Sequence, residues 1–274
     1  MAGPGSPLRG GGTSGPQQIA AGTNHACVVM VSGLVQCWGQ GFYGNLGNGS
    51  SLDRAIPTPT VGLPGPPHTA SAVSAGIFTS CAVTASLSAA CWGQMVGDGS
   101  ALTTTHTSAV GVKNLPAGGV SQVSAAYGGC ALVRLGGLAT GLRCWGDNSS
   151  GELGNGSTTN STSPVQVSGL TGGVVAIGGG GAAACATLFT GQVECWGDNS
   201  SGQLGDGSIG GISTTPVAVS GFTSNGASIG TIRGATSCSL NSSQVPECWG
   251  NNHEGELGDG GTADSGTPVV VQGL

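Results

Sequence analysis

Apolar residues along this chain come in short bursts separated by polar, glycine-rich stretches, and the bursts recur. Pro164-Val165-Gln166-Val167-Ser168-Gly169-Leu170 returns as Pro216-Val217-Ala218-Val219-Ser220-Gly221-Phe222 and again as Pro268-Val269-Val270-Val271-Gln272-Gly273-Leu274. Each is a short β-rich segment bounded by glycine and proline. A second burst, Cys27-Val28-Val29-Met30-Val31-Ser32-Gly33-Leu34-Val35-Gln36-Cys37, predicts a hairpin. Pairing Met30 with Leu34 leaves a three-residue loop with glycine last, where a left-handed residue closes a G1 bulge. Phe189-Thr190-Gly191 repeats that loop, and in the third unit the arms keep their length while Arg134 through Thr140 form a longer tip.

Every hairpin runs into Cys-Trp-Gly, at Cys37-Trp38-Gly39, Cys91-Trp92-Gly93, Cys144-Trp145-Gly146, Cys195-Trp196-Gly197 and Cys248-Trp249-Gly250. The pattern is therefore about 53 residues written five times, a repeat array whose units must stack to bury a core. Turn sequences such as Asp198-Asn199-Ser200-Ser201-Gly202-Gln203-Leu204-Gly205 follow, then the proline-led segment. This supplies about four short strands per unit, the count of a propeller blade. The expected architecture is an all-β propeller of five four-stranded blades over residues 17–274, preceded by a disordered Gly/Pro-rich tail over residues 1–16. The five tryptophans, each at the same point of its unit, are expected to pack blade against blade.

Carrying the hairpin register outward sets Cys27 opposite Cys37. The same nine-residue interval separates Cys81 from Cys91, Cys185 from Cys195 and Cys238 from Cys248, and thirteen residues separate Cys130 from Cys144. Directly opposed residues of an antiparallel pair approach closely enough to bridge. Ten buried thiols acting as small hydrophobes would satisfy the composition equally, and zinc would need short Cys-x2-4-Cys knuckles that are missing. Five register-matched pairs favour five hairpin disulfides and an oxidising compartment, outside the cell or on its surface.

Composition narrows the function classes. Only 7% of the residues are charged, the net charge is −6, and Lys113 is the one lysine, so the basic footprint of nucleic-acid binding is missing. No apolar run reaches the length of a membrane span, and MAGPGSPLRGGGTSGPQQ has no signal-peptide core, which implies a leader already removed or a longer precursor.

The repeat resembles that of the regulator of chromosome condensation family. Ala21-Gly22-Thr23-Asn24-His25-Ala26-Cys27 is similar to that family's Ala-Gly-x-x-His-x-Cys element, and Asp198 through Gly205 to its post-tryptophan turn. The resemblance covers Gln17 to Leu274 and implies a β-propeller, commonly of seven blades. With five units, the chain is expected to close by its C-terminal segment, Thr267 to Leu274, completing the first blade beside Gln17 to Ala21. A five-bladed ring, a piece of a larger ring and head-to-tail association of copies are the alternatives. His25 falls at a structural position of the family. Relatives include exchange factors for a small GTPase and secreted protein inhibitors, so the fold alone names no partner.

Catalytic chemistry has little support. His25, His68, His106 and His253 sit in no nucleophile, zinc or phosphate motif, and Gly178-Gly179-Gly180-Gly181 lacks the lysine of a phosphate loop, reading instead as a crowded inner strand. The Asp-Asn-x-x-Gly turns lack the alternating oxygens and terminal glutamate of a calcium loop. No enzyme activity, cofactor or metal is expected. The second unit is short by four residues after Gly93, and the long connections in units one and two carry Asp53, Arg54, His68 and His106, the candidate binding residues. The expected role is a secreted or cell-surface scaffold for a protein or a glycan. A self-assembling subunit joined through its terminal strands, or an exchange factor, are the competing readings.

Overall fold

The computed structural model describes residues 15–65, 67–135, 138–179, 181–222, 228–229, 235–241 and 243–274. Among them there is no helix, and twenty strands form five four-stranded sheets. Blade 1 comprises β1 (Pro16–Ala21), β2 (His25–Met30), β3 (Val35–Gly39) and β4 (Arg54–Pro59). Blade 2 comprises β5 (Ala70–Ala75), β6 (Thr79–Thr84), β7 (Ala89–Gly93) and β8 (His106–Gly111). Blade 3 comprises β9 (Val120–Ala126), β10 (Gly128–Leu135), β11 (Leu138–Gly146) and β12 (Ser161–Gln166). Blade 4 comprises β13 (Val174–Gly179), β14 (Ala183–Leu188), β15 (Val193–Asp198) and β16 (Ile212–Ala218), and blade 5 comprises β17 (Ser228–Ile229), β18 (Thr236–Leu240), β19 (Pro246–Gly250) and β20 (Ser265–Val270). In every sheet the strands neighbour one another in chain order. This is the five-bladed, all-β architecture that the repeat predicts.

The assignment of the C-terminal segment is corrected. β20 pairs with β19, Glu247 opposite Val270 and Cys248 opposite Val269, and so forms the outer strand of blade 5. Blade 1 takes its fourth strand from its own connection, with Gln36 opposite Pro59. Each proline-led segment belongs to the blade it follows, because the turn after Cys-Trp-Gly returns the chain directly to the strand it has just left, and a short loop costs less closure entropy than a distant pairing. The third hairpin also differs: β10 extends to Leu135 and β11 starts at Leu138, so the extra residues lengthen the arms rather than the loop. The tail expected over residues 1–16 lies outside the described residues as far as residue 14, and Pro16 already opens β1. Gly178 and Gly179 end β13, the first strand of blade 4, while Gly180 lies outside the described residues.

Hairpin geometry follows the sequence closely. The Met30 N–H donates to Leu34 O at 2.9 Å, Gly33 N–H returns to Met30 O at 2.7 Å, and Gly33 adopts φ 81°. Cys27 then opposes Cys37, and the five bridges Cys27–Cys37, Cys81–Cys91, Cys130–Cys144, Cys185–Cys195 and Cys238–Cys248 each close within one hairpin. The glycine of Cys-Trp-Gly is demanded by the backbone: Gly197 has φ 104°, and a Cβ there would collide with Ala182 O. Opposite Trp196 the outer strand carries extra residues, with Cys195 facing Val217 and Gly197 facing Ser213, an irregularity that bulges β16 beside the tryptophan.

The chain divides into two compact units, one of residues 1–137, 143–147 and 160–165, the other of residues 138–142, 148–159 and 166–274. In the first, Cys27, Cys37 and Leu46 of blade 1 cluster with Val73, Ala82 and Trp92 of blade 2, and Cys81, Cys91 and Val96 of blade 2 cluster with Val120, Ala131 and Trp145 of blade 3. In the second, Cys185, Cys195 and Leu204 of blade 4 cluster with Ile229 and Trp249 of blade 5. The core is thus laid down between successive sheets, with disulfides in it.

One device recurs at these contacts. Trp196 Nε1–H donates to Glu152 O in the preceding blade's turn at 2.8 Å, Trp249 to Gln203 O at 3.0 Å and Trp92 to Asn45 O at 2.9 Å. The indole lies over the last glycine of that turn: a Cβ on Gly205 would meet Trp249 Nε1 at 2.7 Å. Trp145 is equally buried, but its Nε1–H has no partner, because the preceding turn, Gln94-Met95-Val96-Gly97, is the short one. Trp38 stays partly exposed.

Candidate functional site

All five blades share one backbone arrangement at the end of the sheet where the first and second strands meet. The residue three before the first cysteine gives its carbonyl to the amide following Cys-Trp-Gly: Asn24 O to Gln40 N, Phe78 O to Gln94 N, Tyr127 O to Asp147 N, Ala182 O to Asp198 N and Ala235 O to Asn251 N, all at 2.8–3.0 Å. The backbone bond is satisfied whatever the side chain, so the side chain is free to vary. In blades 2 and 3 it is aromatic.

Phe78 and Tyr127 join Phe42 and Tyr43, which sit in the turn after β3, to make a continuous row. Ring centroids are 5.0 Å apart for Phe42 and Tyr43, 4.5 Å for Tyr43 and Phe78, and 5.8 Å for Phe78 and Tyr127, with interplanar angles of 89°, 56° and 60°. Phe42 is 66% exposed and the other three partly exposed. The chain has two tyrosines and four phenylalanines, and both tyrosines and two of the phenylalanines are here. The row lies within the first compact unit, and its loops are tied directly: Thr23 N–H donates to Gly76 O at 3.1 Å and Ile77 N–H to Ala126 O at 3.5 Å.

The four binding residues expected from sequence do not form one site. Asp53 accepts the Gly41 N–H at 2.9 Å and so buttresses the turn that carries Phe42, while Arg54 opens β4 opposite Gly39. His68 folds back on its own connection, its Nδ1 2.6 Å from Leu63 O. His106 joins a cluster in the short turn of blade 2: its Nε2 is 3.1 Å from Ser100 Oγ and 3.5 Å from Asp98 Oδ2, and Ser100 Oγ donates to Asp98 Oδ1 at 2.5 Å. Burial pushes the Asp98 carboxyl up, but the Ser100 hydroxyl and amide, with His106 and Lys113 nearby, outweigh it and hold the group below its ordinary range.

That cluster is not a nucleophile triad. Serine and carboxylate meet the same imidazole nitrogen, and the hydroxyl already gives its proton to the carboxylate, whereas catalysis needs the acid on the far nitrogen. His25 is likewise structural: Ser80 Oγ donates to Asn45 O at 2.9 Å, so the 2.7 Å contact between His25 Nε2 and Ser80 Oγ takes its proton from the imidazole. Among the described residues no three His, Cys, Asp or Glu side chains gather as a metal site. The turn asparagines bond their own backbone, as when Asn199 Oδ1 accepts the Leu204 N–H at 3.0 Å.

The regulator of chromosome condensation (RCC1) repeat matches residues 17–45 in one form and residues 32–83 and 144–186 in another. Human E3 ubiquitin-protein ligase HERC2 is 31% identical over 205 residues, 71% of this chain and 4% of that protein. The chain belongs to the RCC1 repeat family. The solved structure of Prp20p from Saccharomyces cerevisiae superposes with a TM-score of 0.78 at 16% identity, covering 94% of this chain and 64% of that one. The ectodomain of the Physcomitrella patens receptor kinase CR4 superposes at 0.52 and 19% identity, covering 86% and 53%. The chain thus spans a small part of HERC2 and less than two thirds of either structure. Within the RCC1 unit of this chain, the aromatic positions are occupied elsewhere by Asn24, Ala182, Ala235, Ser200 and Ser201, so the repeat does not require the row. A position-by-position alignment of the five units is the sequence signal that would have found it.

Proposed function

We propose that this RCC1 repeat chain is a non-enzymatic protein-binding module working outside the reducing cytoplasm, with the loop end of blades 1 to 3 as its recognition surface. The observation that carries the reading is the convergence of Phe42, Tyr43, Phe78 and Tyr127, with Phe78 and Tyr127 held on a backbone bond that recurs in every blade. Aromatic side chains offer large contact area at little entropy cost, and rigid scaffolds present recognition on their loops. Five disulfides support an oxidising environment. Propellers of this kind serve as interaction scaffolds: the Prp20p work concerns binding to Gsp1p and histones, and CR4 presents its domain as an ectodomain. The Ser100, His106 and Asp98 geometry supports no catalytic role.

Panning random twelve-residue peptides against the oxidised protein, with the Tyr43→Ala/Phe78→Ala protein for counter-selection, tests the surface. Peptides held with Kd below about 100 μM and weakened at least tenfold by the two substitutions are expected. Peptides that bind both proteins alike would move recognition elsewhere. Ten alkylatable thiols in protein taken from its own source would remove the extracellular part of the reading.

A further inference from the structure

We infer that the aromatic row Phe42, Tyr43, Phe78 and Tyr127 takes a proline-rich, uncharged segment of a partner protein in the polyproline II conformation. This rests on the protein-binding reading above and names the partner's chemistry.

Three features of the row select the ligand. The first is tilt. Neighbouring rings are inclined by 89°, 56° and 60° and packed edge against face, so the row is not a flat platform for stacking a pyranose face but a ridged surface of alternating edges and faces. Proline-rich segments dock along aromatic-lined surfaces of this relief, laying successive pyrrolidine rings against the exposed ring faces and edges. The second is length. The centroid separations of 5.0, 4.5 and 5.8 Å give the row a contour of roughly 15 Å, so it contacts at most about five residues of a polyproline II helix at 3.1 Å each. The third is polarity. The four side chains carry no charge, which matches an uncharged ligand, and Tyr43 and Tyr127 bring hydroxyl donors. A polyproline II helix has no internal hydrogen bonds, so its carbonyls need such donors from outside.

Both binding surfaces are stiff. Phe78 and Tyr127 are held by carbonyl bonds to Gln94 and Asp147 across their own blades, and Gly44 N–H closes the turn bearing Phe42 and Tyr43 onto Gly41 O at 2.8 Å. A preformed ligand meeting a preformed row loses little conformational entropy, which is how a few weak ring contacts add to measurable affinity.

The test uses a fluorescein-labelled proline decamer and the oxidised, full chain, with a Gly-Ser decamer as control. Anisotropy titration is expected to give Kd of roughly 10 to 100 μM for the proline decamer and no saturation for the control. Phe78→Ala and Tyr127→Ala weaken binding at least tenfold, Tyr127→Phe weakens it less than fivefold, and raising salt from 50 to 500 mM changes it less than twofold, since no charges meet. Near-UV circular dichroism checks that the variants are folded. Should either variant misfold, ring resonances of Tyr43, Phe78 and Tyr127 in the unmodified protein are expected to shift on adding the decamer, and unmoved resonances overturn the inference. Failure of the decamer to bind, or equal binding by folded variants, overturns it as well. Cellohexaose competing at these rings would reassign the row to carbohydrate and overturn it too. Panned peptides that depend on Tyr43 and Phe78 but are not proline-rich would sink this inference while leaving the binding-module reading standing.

Discussion

The turns that follow Cys-Trp-Gly in blades 3, 4 and 5 differ from those in blades 1 and 2 in how completely their polar groups are satisfied. In blade 4, Asn199 Oδ1 takes the Leu204 N–H, Gln203 Oε1 takes the Ser201 N–H at 2.9 Å, and Gln203 O takes the next tryptophan's N–H. Blades 3 and 5 repeat both side-chain bonds with Asn148 and Glu152 and with Asn252 and Glu256, and Glu152 O takes the Trp196 N–H. In blade 1 the residue matching Gln203 is Asn45, one methylene shorter, and both of its side-chain amide atoms are buried without a partner. In blade 2 the turn is truncated and Trp145 loses its acceptor. The aromatic row begins in one of these irregular turns. Where the repeat is regular its loops are small and polar; where it departs from pattern, stability is surrendered locally and apolar surface is gained, as is common at functional sites.

The largest expected effect breaks the regular side. Trp196→Ala removes a fully buried indole and its bond to Glu152, and is expected to destabilise by about 3 to 5 kcal/mol, read by chemical denaturation. Trp92→Phe against Trp145→Phe sharpens the comparison: the first forfeits a bond and costs about 1 to 2 kcal/mol beyond packing, whereas the second removes a buried N–H that has no partner and costs measurably less. Equal losses would mean that the Trp145 N–H is satisfied in solution. Asn45→Gln is expected to repair the irregular turn, raising stability by about 1 kcal/mol if the longer amide reaches the Tyr43 N–H as Gln203 reaches that of Ser201. The smallest effect is pH-dependent. The folded state holds the Asp98 carboxyl low, so its contribution is present above the ordinary carboxylate range near pH 4 and fades as pH falls through the lowered value. Asp98→Asn is therefore expected to be less stable than the parent at pH 7 and to converge on it toward pH 2.

Much of the scaffold was readable because it is local. Nine residues between cysteines, with a Gly-ended loop between them, leave one register in which the sulfurs oppose, and Gly33 and Gly191 close those hairpins as expected. The outer strand of blade 5 was misplaced because Pro268 to Leu274 carries the same pattern whichever edge it joins; pairing with Glu247 and Cys248 is decided by the path of the connecting turn. The third hairpin differs at its tip because its arms need not match the length of the other four: Gly136-Gly137 is itself a two-residue turn signal, and it falls between the ends of β10 and β11. The row is only half legible in the sequence: aligning the units marks its positions as variable and aromatic, but not that they meet. Phe42, Phe78 and Tyr127 lie in three repeats, and only the stacking of sheets brings them within ring contact.

Each disulfide closes a loop inside a single hairpin, and none ties one blade to the next. Against proteases the molecule therefore has two kinds of bond. A cut between Cys27 and Cys37, or within any of the other four hairpins, leaves the fragments covalently joined, so the most exposed tips, such as Phe189, can be nicked without loss of mass. A cut in a connection such as Leu52 to Asp53 has nothing but packing to hold the pieces. Resistance to digestion is accordingly set by the connections between hairpins, and in an environment rich in proteases these are the segments whose protection determines how long the scaffold lasts.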